Sequence, residues 1–165
     1  MRQSRLRGSL LALRNAPEHR RARCCIVRSH MILYRPTGLA ELKLVAASGW
    51  TAWPPRLPEQ PIFYPVLSVE YARKIARDWN AVNPSDYIGF VTRFEITEQC
   101  AHRYPIQLAG GRAHGELWVP AEELAEFNRQ IIGKIEVIES HPGPSYTGVI
   151  DPNTHLPSDF SAPHD

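Results

Sequence analysis

The chain has 165 residues, 43% of them hydrophobic and 22% charged, proportions that suit one globular domain and are short for two. No apolar run approaches the roughly 18–20 residues of a membrane span, and the longest near the start, Leu10 to Leu13, is too short for a secretory signal core, so a cytoplasmic protein with no membrane partner is expected. The net charge of +2 hides an asymmetry: residues 1–30 hold eight arginines and one acid, Glu18, whereas the remainder holds eleven basic and sixteen acidic residues.

That asymmetry divides the chain into a disordered Arg-rich head, residues 1–30, a folded domain, residues 31–140, and a tail from 141 to 165. Clustered arginine suits a nucleic-acid arm, because guanidinium groups neutralise phosphates. An Arg-rich, acid-poor start also suits a transit peptide. A third reading is that translation begins at Met31, directly before an apolar strand. Of the three cysteines, Cys24 and Cys25 are adjacent and Cys100 is alone. This pattern gives no disulfide framework. His102 near Cys100 is too little for zinc, which needs about four ligands, so no metal is expected.

Ile32-Leu33-Tyr34-Arg35 reads as a first strand ended by Pro36 and Gly38. Leu39, Leu42, Val45 and Ala46 recur at helical spacing, with Gly49 placed for a C-terminal cap. Residues 50–61 hold Trp50, Trp53 and four prolines, which predicts a rigid loop partly buried by its tryptophans. Ile62 to Leu67 is a short apolar strand interrupted by Pro65. Ser68 is a helix N-cap, and Ala72, Ile75, Ala76 and Trp79 are expected to form the buried stripe of the helix it opens. Asn80 to Asp86 makes a turn.

Tyr87 to Ile96 alternates with strand period, and residues 102–109 read as a partner strand. Gly110-Gly111 opens a loop before the strand Glu116-Leu117-Trp118-Val119. Pro120 starts a helix over about 121–128, and Ile131 to Glu139 is a last strand. From His141 onward, five prolines in 25 residues predict a disordered Pro-rich tail. Helices cluster early and strands late, which favours an α+β fold with a mixed, mostly antiparallel sheet and two or three helices.

Walker and Rossmann glycine loops, a nucleophile elbow and His-Glu-x-x-His are all missing from the sequence. Three spots carry chemistry instead. Arg35, ending a strand beside Tyr34, can grip a diphosphate or carboxylate with parallel hydrogen bonds, or make a surface ion pair. Phe63-Tyr64-Pro65 can stack on a flat ring, or pack in the core. Glu116, behind the loop Gly110-Gly111-Arg112-Ala113-His114-Gly115, can face a cleft, or lie solvated at a strand edge.

Taken together, Leu33-Tyr34-Arg35, then Ile62-Phe63-Tyr64 leading to Glu70-Tyr71-Ala72, then Glu116-Leu117-Trp118-Val119-Pro120 resemble the ADP-ribosyltransferase superfamily over residues 32–139. The chain is also similar to small bacterial proteins carrying an ADP-ribosylation/crystallin label. That label properly belongs to larger helical hydrolases that bind metal through aspartates, and no such aspartate set is seen here. The resemblance implies a split-sheet ADP-ribosyltransferase-like fold and NAD as substrate. It implies Arg35, Tyr64 and Glu116 as catalytic groups and Tyr34, Arg35, Phe63 and Tyr64 as the NAD-binding ones. His114 stands two residues before Glu116, where the family often has Glu or Gln, and would orient the acceptor, whether protein, nucleic acid or small molecule. Tyr64-Pro65-Val66 replaces the Ser-Thr-Ser of the arginine class. Trp50 and Trp53 either shape the adenine side of the cleft or pack in the core. A non-catalytic binder of NAD, ADP-ribose or nucleic acid on the same fold is the alternative.

Overall fold

The structure, a computed structural model, describes residues 29–111 and 114–163. The arginine-rich head therefore lies outside the described residues, apart from its last two. His30 already belongs to the first strand, opposite Thr97.

The elements run β1 (His30–Thr37), α1 (Leu39–Ala47), β2 (Ile62–Phe63), α2 (Val69–Ile75), a π-helical turn (Ala76–Asn80), β3 (Ile88–Thr97), α3 (Glu98–Ala101), β4 (Ile106–Leu108), β5 (Gly115–Leu117), β6 (Val119–Pro120), a 3₁₀ turn (Ala121–Glu123), α4 (Leu124–Asn128) and β7 (Ile131–Pro142). This is an α+β fold, and every paired strand in it is antiparallel.

The central strand is β3, flanked by β1 and β7. Its alternation puts Ile88, Phe90, Phe94 and Ile96 in the interior, and Val91 and Thr92 are buried too, as expected of a strand covered on both faces. The largest core gathers Leu33, Trp53, Phe63, Phe94, Leu117 and Phe127, so Trp53 belongs to the core. Ring contacts such as Trp53–Phe63, with centroids 5.2 Å apart, add to plain apolar burial.

The segment after β2 is what joins the two halves of the molecule. Val66 exchanges backbone hydrogen bonds with Tyr34, at 2.9 and 2.8 Å. On its other side, Leu67 N–H donates to Gly115 O at 3.0 Å and Leu117 N–H donates to Pro65 O at 2.9 Å. Residues 65–67 thus lie between β1 and β5, and three stretches far apart in sequence become lateral neighbours. Pro65 has no N–H to give, and only its carbonyl is used.

Three sequence expectations are corrected. Trp79 is not on a buried stripe but 59% exposed. The chain widens into a π turn after Ile75, with Ala81 N–H donating to Ala76 O at 2.9 Å. The extra residue per turn rotates Trp79 away from the face it would occupy in a regular helix. The tail is not disordered over its described part. Tyr146, Ile150, Leu156 and Phe160 pack against the buried patch Leu42, Ile88 and Phe90, and Trp50 meets Phe160 at 6.2 Å. The proline content masks four spaced apolar side chains that find a ready surface. The strand read over 102–109 is also shorter than expected, because α3 and a turn take its first half.

Among the described residues no helix is long and apolar enough to cross a membrane, and no group of three or more His, Cys, Asp or Glu is placed to hold a metal ion.

Candidate active site

A cleft of about 420 Å³ opens where β1, the 64–66 segment and β5 meet the helix that follows, a size within the usual range for small-ligand sites. Arg35, Tyr64 and Glu116 all line it, together with Pro36, Glu41 and Asn80. The convergence follows from the pairing above: Tyr34 bridges Val66, and Val66 bridges Glu116.

Glu116 is 9% exposed. Its neighbours in β5 pack elsewhere, Leu117 into the main core. The Tyr71 hydroxyl donates to its Oε1 at 2.8 Å, and the Trp118 indole N–H donates to its Oε2 at 3.0 Å. A carboxylate has about four acceptor positions, so each oxygen keeps one for a ligand. Tyr71 reaches Glu116 because Ser68 caps α2, its side chain accepting from Tyr71 N–H at 3.2 Å. Burial first, then the hydrogen bond to Glu116 and its charge, push the Tyr71 phenol up from 10.0 to about 12, so it donates throughout the neutral range.

Tyr64, on the cleft lining, meets Trp118 edge to face at 5.7 Å. Arg35 lines the same cleft. One of its terminal nitrogens donates to both oxygens of Glu41, at 3.2 and 3.1 Å, and the other donates to Tyr64 O at 3.3 Å. Its guanidinium lies over the Phe63 ring at 5.1 Å. Glu41 comes from the first turn of α1, which follows β1 directly, and its Oε1 also accepts from Arg56 at 3.0 Å. Burial alone would raise the Glu41 carboxyl, but Arg35, the Thr37 hydroxyl and Arg56 more than offset this and hold it below its ordinary 4.5. Arg35 and Arg56 share the single carboxylate of Glu41, which leaves one positive charge in excess beside a cleft that Glu116 also lines.

Of the sequence-predicted residues, Arg35, Tyr64 and Glu116 come together. Tyr34 instead packs with Val66, Ala72, Ala76 and Val91, and Phe63 is fully buried in the main core. Phe63 acts only from beneath, through the face it presents to Arg35. His114 is off the cleft lining: its ring stacks on Tyr71 at 4.3 Å, and its Nδ1 lies 3.1 Å from Ala109 O. It touches the residue that holds Glu116, not Glu116 itself. Sequence reading missed Tyr71 and Trp118 as partners of the carboxylate. The signals were present, since Trp118 lies two residues from Glu116, the spacing that puts side chains on one side of an extended chain, and Tyr71 stands three residues past a helix N-cap. Glu41, Arg56 and Asn80 had no comparable signal. No protein-family model matches the chain, and no curated protein or solved structure matches it either.

Proposed function

We propose that the chain is a NAD-dependent ADP-ribosyltransferase whose reaction is run by Arg35, Tyr64 and Glu116. The observation that carries this reading is the convergence of those three residues, 81 positions apart at the extremes, on one cleft. The polarity of the cleft supports it as well. NAD has an anionic diphosphate and a nicotinamide–ribose bond whose cleavage develops positive charge on the sugar. The cleft offers the Arg35 guanidinium and an oriented carboxylate on one lining.

In this reading Arg35 holds a phosphate oxygen, exchanging part of its contact with Glu41 for the ligand. Tyr64 stacks on the nicotinamide ring, braced edge to face by Trp118. Glu116 accepts a hydrogen bond from the ribose hydroxyl next to the breaking bond and offsets the charge growing on the anomeric carbon, as a carboxylate does in glycoside cleavage. The bond from that carbon to the nicotinamide nitrogen breaks and its electron pair leaves with nicotinamide. The acceptor forms the new bond and gives up a proton. Because Tyr71 and Trp118 already fix the Glu116 carboxylate, little reorganisation is needed as charge develops, the condition under which electrostatic stabilisation is largest.

Incubating the full chain with NAD and candidate acceptors, water included, tests this. Release of nicotinamide together with ADP-ribose or an ADP-ribosylated product is expected. Binding without release would instead favour the non-catalytic binder.

A further inference from the structure

Among the described residues, the buried side-chain polar atoms that lack a partner are Nε of Arg35 and of Arg56, Nε1 of Trp53 and Oδ1 of Asn80. The two guanidinium groups are bonded through their other nitrogens, and Trp53 is deep in the core. Asn80 Oδ1 differs from these: it is an acceptor, and Asn80 lines the cleft. An orphaned buried acceptor is costly and uncommon in folded proteins.

The chain holds Asn80 there by a specific device. Asn80 ends the π turn Ala76–Asn80, a feature found often at functional sites. The turn lies so close to β3 that a Cβ on Gly89 would stand 2.1 Å from Ala76 O and 2.9 Å from the Asn80 Cβ. Only glycine at 89 permits the approach.

We propose that Asn80 Oδ1 accepts a hydrogen bond from the carboxamide nitrogen of nicotinamide, making Asn80 the residue that selects the leaving group. This inference rests on the reading of the cleft as a NAD site. The apolar part of the same lining is Pro36, Val66 and Ile75, a slot suited to an uncharged ring. The strand backbone there has little to offer such a ring. Pro36 has no N–H, and the Val66 N–H and C=O are both taken by Tyr34. Gln60, the other neutral amide on the cleft, accepts from Arg56 at 2.9 Å. The ring in the slot is nicotinamide and not adenine because Val66 bridges Glu116. The slot therefore adjoins the carboxylate that holds the nicotinamide ribose, while the adenine lies beyond the diphosphate.

Calorimetric titration of the full chain with NAD, its acetylpyridine analogue (a methyl in place of the amide NH₂) and its hypoxanthine analogue tests the assignment. The unsubstituted chain is expected to bind NAD about tenfold more tightly than the acetylpyridine analogue, the worth of one hydrogen bond to a buried acceptor. Asn80→Leu should bind the two equally without a lower melting temperature, since the orphaned acceptor is gone. Asn80→Asp, which keeps an acceptor in place, should retain the preference. A preference unchanged in Asn80→Leu overturns the inference, as does a loss of discrimination against the hypoxanthine analogue instead. A chain that binds NAD and releases nicotinamide but never discriminates against the acetylpyridine analogue overturns this inference alone. A chain that binds no NAD overturns the transferase reading and this inference with it.

Discussion

Replacing Glu116 by glutamine removes one charge and almost nothing else. The Trp118 indole only donates, so the glutamine oxygen must turn toward it and keep the 3.0 Å contact. That leaves the glutamine NH₂ facing Tyr71, whose hydroxyl both donates and accepts and can rotate to receive it across the present 2.8 Å. Both contacts survive, so stability should change by less than about 1 kcal/mol. What is lost is the stabilisation of the developing ribose cation. A single preorganised electrostatic group of this kind contributes ~3–4 kcal/mol to the barrier, or ~10²–10³ in rate. Nicotinamide release from NAD, followed chromatographically beside a thermal melt, separates the two effects. The expected result is a melt within a few degrees of the unsubstituted chain and release reduced by at least about a hundredfold. Release within about threefold of the unsubstituted rate would refute the role assigned to the carboxylate.

Glu41→Gln should destabilise the fold by about 3 kcal/mol at neutral pH, because it leaves Arg35 and Arg56 facing each other without their shared counter-charge; denaturant titration reads this. Since the folded Glu41 carboxyl lies below its ordinary 4.5, its contribution is present above that pH and fades as the pH falls through the folded value. The same variant should therefore lose less stability on acidification than the unsubstituted chain. Tyr71 is raised from 10.0 to about 12, so its contribution is complete below pH 10 and is lost between 10 and 12. Tyr71→Phe should flatten that alkaline limb in pH-resolved melts and also lower nicotinamide release. Gly89→Ala should cost about 1–3 kcal/mol or more through overpacking against the π turn. Phe160→Ala should cost about 1–2 kcal/mol through lost apolar burial, whereas a tail that contributed nothing would melt unchanged.

Much of the sheet could be read from period alone. The alternation from Ile88 to Ile96 is uninterrupted, so β3 and its buried face were evident. The Ser68 cap was equally plain, because the hydroxyl there has one obvious backbone N–H to meet. Arg35, Tyr64 and Glu116 stood out only as an ordered set, since each short motif has a bland structural explanation when taken singly. The split of residues 62–67 into a two-residue strand and a bridge was not legible. It depends on which strands flank Val66, a tertiary fact. The π turn was likewise hidden, because its close approach to β3 is allowed by the missing side chain at Gly89, nine residues past its end. Tyr34 and Phe63 look like ligand-facing aromatics in sequence, yet the pleat sends one under α2 and the other into the core.

Titrating NAD into isotope-labelled full chain, and following the Trp118 indole N–H, the Tyr64 ring and the Arg35 guanidinium by NMR, reads all three groups at once. All three signals are expected to move together and saturate at one equivalent. Signals that stay still while NAD is present in large excess would contradict the transferase reading.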